Sequence, residues 1–160
     1  MAFECVQCGE CCTRLGFVHT VIEDRGDYCY LVLNEKTLEQ TPVTVVTGMR
    51  DLFDDRSIFA PYPDACPFFR KEPRTGLSCC TVHPTRPAIC REYECWRFLV
   101  LNHRGRWVGK VRHGRMLMTD DPLLERIWSE GSAGRSGGDD KGWEDEMIAL
   151  LARAGYSVRR

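Results

Sequence analysis

Two apolar stretches near the N-terminus, Gly16 to Ile22 and Tyr28 to Leu33, are rich in Val, Tyr, Leu and Ile and flank the polar run Glu23-Asp24-Arg25-Gly26-Asp27. Strand-forming residues on either side of a glycine-bearing turn predict a β-hairpin. Pro42 to Val46 suits a further strand, and Met49 to Asp55 a short helix. From Pro84 the period changes. Thr85 is placed to cap a helix, and Ala88, Ile89, Tyr93, Trp96, Leu99 and Val100 recur at helical spacing, so a helix is expected through Leu101.

The remaining third is patterned differently. His103 to Arg115 carries five Arg or Lys residues and no acid, with Trp107, Val108 and Val111 interleaved, as in a strand or hairpin with a basic face. Pro122 to Glu130 reads as a helix with proline in its first turn. Gly131 to Gly138 has the Gly/Ser composition of a flexible linker. Trp143, Met147, Leu150, Leu151 and Ala154 then form one apolar stripe, with acids at its start, Arg153 near its end and Gly155 as a stop. That charge order complements the helix macrodipole, and the stripe is expected to pack on the chain's own body.

With 160 residues, 43% of them apolar, the chain is long enough for a buried core. No apolar run approaches the roughly 20 residues of a membrane-spanning helix. Lys plus Arg number 22 against 23 Asp plus Glu. This near-balance argues against a dedicated nucleic-acid binder, and the basic stretch reads better as a solvated face or a protein-docking edge. If it docks an acidic redox partner, Arg104, Arg106 and Arg112 are the residues to carry it.

Ten cysteines change the picture. No basic start followed by an apolar stretch marks a signal peptide, so a reducing cytoplasm is expected, where cysteines in number serve metals or redox chemistry rather than disulfides. The last of them is Cys95, which suggests a cysteine-bearing body over residues 1–101 and an extension over 102–160 made of the basic segment, the linker and the amphipathic helix.

Cys5-x-x-Cys8-Gly9-x-Cys11-Cys12 opens the chain. Two residues between cysteines reverse the backbone and aim both sulfurs inward, and Gly9 allows a positive φ beside the ion. Cys5, Cys8 and Cys11 match the first three positions of a bacterial ferredoxin run, but the fourth position is Leu15, which excludes an ordinary ferredoxin. Neighbouring side chains diverge, so Cys11 and Cys12 are expected to serve different metals, or only one to ligate. Cys66-Pro67-Phe68-Phe69 and Cys80-x-x-His83-Pro84-x-Arg86-Pro87-x-x-Cys90-Arg91-x-Tyr93-x-Cys95 supply further thiols, enough for two four-thiolate sites. Such sites carry excess negative charge, and Arg86 and Arg91 flank Cys90 where they could offset it. His83 suits a hydrogen-bonding or capping role before Pro84. Cys29, isolated in an expected strand, reads as core packing.

These three ordered motifs over residues 3 to 95 resemble the CxxCxxCC cysteine-cluster proteins, also called YkgJ-type or zinc- or iron-chelating domain proteins, with a related segment in flagellin lysine-N-methylases. The resemblance implies a metal-binding domain, often labelled an iron–sulfur oxidoreductase, with Cys5, Cys8, Cys11, Cys12, Cys66, Cys80, Cys90 and Cys95 as the ligand set. Cys79, next to Cys80, is additional to the pattern and leaves the choice of ligand there open.

The expected fold is therefore α+β: a small, irregular, metal-organised domain with short strands and a helical C-terminal extension. The leading functional expectation is an iron–sulfur metalloprotein, holding a 4Fe-4S cluster and serving electron transfer, or acting as a redox or assembly accessory with a protein partner. The alternative is a structural Zn²⁺ site in an interaction module without redox activity, since tetrahedral sulfur sites suit both. A methyltransferase is rejected: the one Gly-rich stretch follows no strand. No serine–histidine–acid arrangement, P-loop or dinucleotide fingerprint is present, and no catalytic residue is assigned.

Overall fold

The structure is a computed structural model and describes residues 5–134 and 139–160. It is an α+β protein in two compact units, residues 1–93 and 94–160.

In the first unit β1 (His19–Asp24), β2 (Cys29–Asn34) and β3 (Gln40–Thr44) form an antiparallel sheet in that order. The expected hairpin is present. Gly26 takes φ +79°, and its N–H donates to Asp24 Oδ1 at 2.9 Å, closing the turn. Gly16 and Phe17 lie instead in a 3-10 turn, Cys12–Phe17. Gly16 N–H donates to Asp64 O at 2.9 Å, and a Cβ there would stand 2.7 and 2.8 Å from the Asp64 and Ala65 carbonyl oxygens. Only glycine allows that approach.

The expected short helix is α1 (Arg50–Asp54). Its Phe53 joins Val32, Val43, Val45, Phe68 and Phe69 in the core, stacked on Phe68 with centroids 5.9 Å apart. β4 (Phe69–Lys71) pairs with β5 (Ser78–Cys80) as a second hairpin. Between these layers Arg70 is fully buried. Its guanidinium donates to the carbonyls of Leu52, Phe53, Pro67 and Phe69, and lies over the Phe53 and Phe59 rings at 4.9 and 5.0 Å. A buried cation costs little when its donors are matched by oxygens and aromatic faces.

The long helix expected from residue 85 to 101 does not form. Helix α2 covers only Ala88–Glu92 and ends with Tyr93 in extended conformation. Pro87 occupies its N-cap, whereas the Thr85 hydroxyl accepts from Thr44 N–H at 2.9 Å and donates to Thr44 O at 3.3 Å, tying the loop to β3. Phe98–Leu101 is a strand, β6, in the second unit. Its run of consecutive apolar residues suits a strand buried on both faces, and Phe98, Leu99 and Val100 are all fully buried.

In the second unit β6 lies between β7 (Trp107–Val111) and β9 (Ser157–Arg159), with β8 (Leu117–Thr119) outside β7. The basic stretch therefore forms β7 and the turns on either side of it. Helices α3 (Pro122–Ser132) and α4 (Asp140–Arg153) cover one face of this sheet: Phe98, Val100 and Val111 pack with Leu124, Trp128, Trp143, Met147 and Leu151. Gly131 and Ser132, expected in the linker, continue α3, and a Cβ on Gly131 would overlap Leu150 of α4. Ala133 and Gly134 follow as a turn, with Gly134 at φ +77°, and residues 135–138 of the expected linker lie outside the described residues. Asp121 caps α3 by accepting from Leu123 and Leu124 N–H, and Gly155 ends the α4 segment at φ +87°. Among the described residues no helix is long and apolar enough to cross a membrane.

Candidate metal centre

The cysteine loop is built from two residues with positive φ, Gln7 at +53° and Gly9 at +79°. They turn the backbone back on itself, as a C-x-x-C pair requires. Gly9 has a second reason to be glycine: a Cβ would overlap Ser78 Oγ and stand 3.1 Å from the Phe69 ring. The loop is fastened to the later cysteine segments through its backbone. Cys66 N–H donates to Cys12 O at 2.8 Å, and Ser78 N–H donates to Gln7 O at 3.0 Å.

A local pattern recurs in these segments. Gln7 N–H donates to Cys5 Sγ at 3.4 Å, and the backbone of Phe68 and of Val82, each two residues downstream, favours the thiolates of Cys66 and Cys80. Backbone N–H groups aimed at sulfur favour the thiolate.

Burial opposes them. It pushes the Cys66 thiol up to about 12, with Cys80 and Cys90 adding to the effect. Burial likewise raises Cys90 to about 12, helped by Cys80 and Cys11. Cys80 is raised by burial and by Cys5 and Cys79; Cys5 is raised by burial and by Cys11 and Cys8. Cys12 is raised most through a hydrogen bond with Cys11, then by burial and by the Cys66 and Cys80 thiols. These mutual effects place Cys5, Cys8, Cys11, Cys12, Cys66, Cys80 and Cys90 in one neighbourhood of the first unit. Cys95 is buried and belongs to the second unit.

Cys79 and Cys29 stand apart from this group. Cys79 contacts Leu77 O at 3.6 Å, and its raised thiol feels burial and the Glu72 carboxylate. Cys29 is half-buried beside Thr44 Oγ1 at 3.5 Å, so it lines the sheet margin rather than packing in the core.

Arg86 Nη1 donates to His83 O at 2.7 Å and its Nε to Cys90 O at 3.3 Å, and its charge favours the thiolates of Cys5, Cys80 and Cys90. Arg91, one residue past Cys90, is exposed on α2.

Sequence reasoning missed His19. It is 2% exposed at the start of β1, with Nδ1 3.8 Å from Cys66 Sγ and Nε2 3.9 Å from Cys90 Sγ. Burial lowers its pKa, disfavouring the charged ring, against a smaller opposing effect of Glu39. The available signal was its place heading an otherwise exposed strand, where a histidine at the one buried position has to find polar partners.

Among the described residues no three His, Cys, Asp or Glu side chains are arranged to hold a metal ion as they stand. The donor chemistry nonetheless fits a thiophilic cation. Soft sulfurs crowd together, backbone N–H groups and Arg86 favour their ionised form, and the energetic obstacle is the negative charge that a metal removes.

The chain belongs to the CxxCxxCC family: the family model described as "Putative zinc- or iron-chelating domain" matches residues 4–111. Metal binding by this domain is thereby supported. Comparisons with curated proteins and with solved structures found no match.

Proposed function

We propose that the protein is an iron–sulfur metalloprotein of electron transfer, or a redox or assembly accessory, with its metal held by thiolates of the first unit, from Cys5, Cys8, Cys11, Cys12, Cys66, Cys80 and Cys90. The observation that carries this reading is a group of thiols whose ionised form is favoured by Arg86 and, at Cys5, by the Gln7 N–H at 3.4 Å. Hydrogen bonds to ligating sulfurs spread the excess charge of a cluster and set its reduction potential. Arg86 lies among the same thiols and works in the same direction. A 4Fe-4S cluster, when bound, supplies one-electron chemistry. The chain's own part is to bind it, shield it from water and hold its charge.

Ten cysteines gathered in metal-binding motifs suit a reducing, cytoplasmic setting. The exposed turn with Arg104 and Arg106, next to β7, offers a basic edge for an acidic protein partner.

Structural zinc is the second reading. The presence of His19 beside Cys66 and Cys90 favours it, because mixed nitrogen and sulfur donors suit that ion. Anaerobic purification with quantification of iron, zinc and acid-labile sulfide decides between them. Iron and sulfide in similar amounts, with visible absorbance bleached by dithionite, is the expected result. Zinc alone after iron-replete expression overturns the redox reading.

A further inference from the structure

The cysteine motifs give no role to a histidine at position 19, yet the fold carries that ring from the start of β1 into the thiol neighbourhood. His19 pairs with Asn34 across the sheet and is buried, so water does not serve its nitrogens. Each ring nitrogen instead faces a thiol from a different segment, Cys66 at 3.8 Å and Cys90 at 3.9 Å.

Those distances discriminate between two roles. They exceed the 3.4 Å of the Gln7 N–H···Cys5 contact, and are long for a hydrogen bond even to sulfur. Two ligands of one tetrahedral ion, a sulfur at about 2.3 Å and a nitrogen at about 2.1 Å, keep their donor atoms about 3.6 Å apart. The separations from His19 are close to that edge. A neutral imidazole also has one bare nitrogen to give a metal and one N–H to give an acceptor, and ligating histidines are commonly oriented by such an N–H bond. Here the thiols of Cys66 and Cys90 stand at both positions.

We infer that His19 is a nitrogen ligand of the metal centre, with one ring nitrogen on a metal shared with Cys66 or Cys90 and the other N–H donated to the remaining thiolate. The inference rests on the proposed metal centre. Each cysteine sulfur turns about a single side-chain bond, so closing the coordination sphere around the fixed ring requires rotamer changes in Cys66 or Cys90.

The test uses the full chain carrying ¹⁵N-histidine, prepared metal-free under reducing, anaerobic conditions and then loaded with cadmium-113. A bond from cadmium to an imidazole splits that nitrogen's resonance. One split nitrogen is expected, retained in His83→Ala, His103→Ala and His113→Ala and lost in His19→Gln. Should His19→Gln fail to fold, the other variants still assign the signal by elimination. Cadmium held through dialysis without any split imidazole, or a splitting lost in one of those alanine variants, overturns the inference and leaves the thiolate centre standing. If no cadmium is retained, the metal reading falls as well.

Discussion

Cys79 and Cys80 are adjacent on β5 but serve opposite sides of it. Cys80 feels Cys5 and favours its thiolate beside Arg86, whereas Cys79 faces the Glu72 carboxylate and Leu77 O. Strand alternation forces the separation, since successive side chains point to opposite faces. Cys80→Ser is therefore expected to lower the metal bound per chain, while Cys79→Ser leaves it unchanged. Metal analysis after gel filtration, with both variants checked for native spectra, reads the difference. Equal loss in both would remove Cys80 from its proposed place.

Gly9→Ala tests the loop. Alanine at φ +79° is strained, and its methyl would overlap Ser78 Oγ against the Phe69 ring. The two effects together are expected to cost about 2 kcal/mol or more. Urea unfolding of the first unit, followed by far-ultraviolet circular dichroism, gives the number. Gly76→Ala at a solvent-open turn is expected to cost less, because only the backbone strain remains there.

Arg86 and Arg91 are predicted to part company. Removing the Arg86 guanidinium takes a cation away from Cys5, Cys80 and Cys90 and frees the His83 and Cys90 carbonyls. Arg86→Ala should weaken metal affinity roughly tenfold, the lower end for residues that support ligands. It should also move metal uptake to higher pH, because the thiols then deprotonate less readily. Arg91→Ala should change neither. Competition with a chelator across a pH series measures both effects.

A pH dependence follows in the second unit. Hydrogen bonds from Arg97 and Arg115 hold the Asp140 carboxyl down to about 2, against 3.8 ordinarily. A carboxylate depressed in the folded state stabilises it above the ordinary value, and this stabilisation fades as pH falls toward the lowered one. Asp140→Asn should be less stable than the parent at neutral pH, with the gap closing between about pH 4 and pH 2. All four tryptophans lie in this unit, so tryptophan fluorescence in denaturant isolates the signal. A gap constant with pH would show that the ion pairs contribute nothing.

The sequence was legible where local chemistry decides. The first hairpin, α3, α4 and the positive φ of Gly9 all follow from turn residues, caps and spacing. It misled at Phe98–Leu101, because four consecutive apolar residues fit a buried helix and a buried strand alike. Pairing with Ser157–Arg159, far along the chain, settles the question, and no local pattern records it. His19 and Arg70 escaped for a related reason. Each is a polar residue whose partners come from distant segments, so its burial becomes visible only when those segments meet.

The same pairing has a consequence during synthesis. As a ribosome delivers the chain, β7 and β8 reach β6 soon after it emerges, but its other flank stays bare until residues 157–159 arrive. An unpaired apolar strand edge is a template for association with neighbouring nascent chains. The second unit thus passes through a period of exposure that the first, whose strands all pair with near neighbours in sequence, does not share. Slower translation of residues 112–156 would prolong that period, and a chaperone that covers strand edges would be most useful within it.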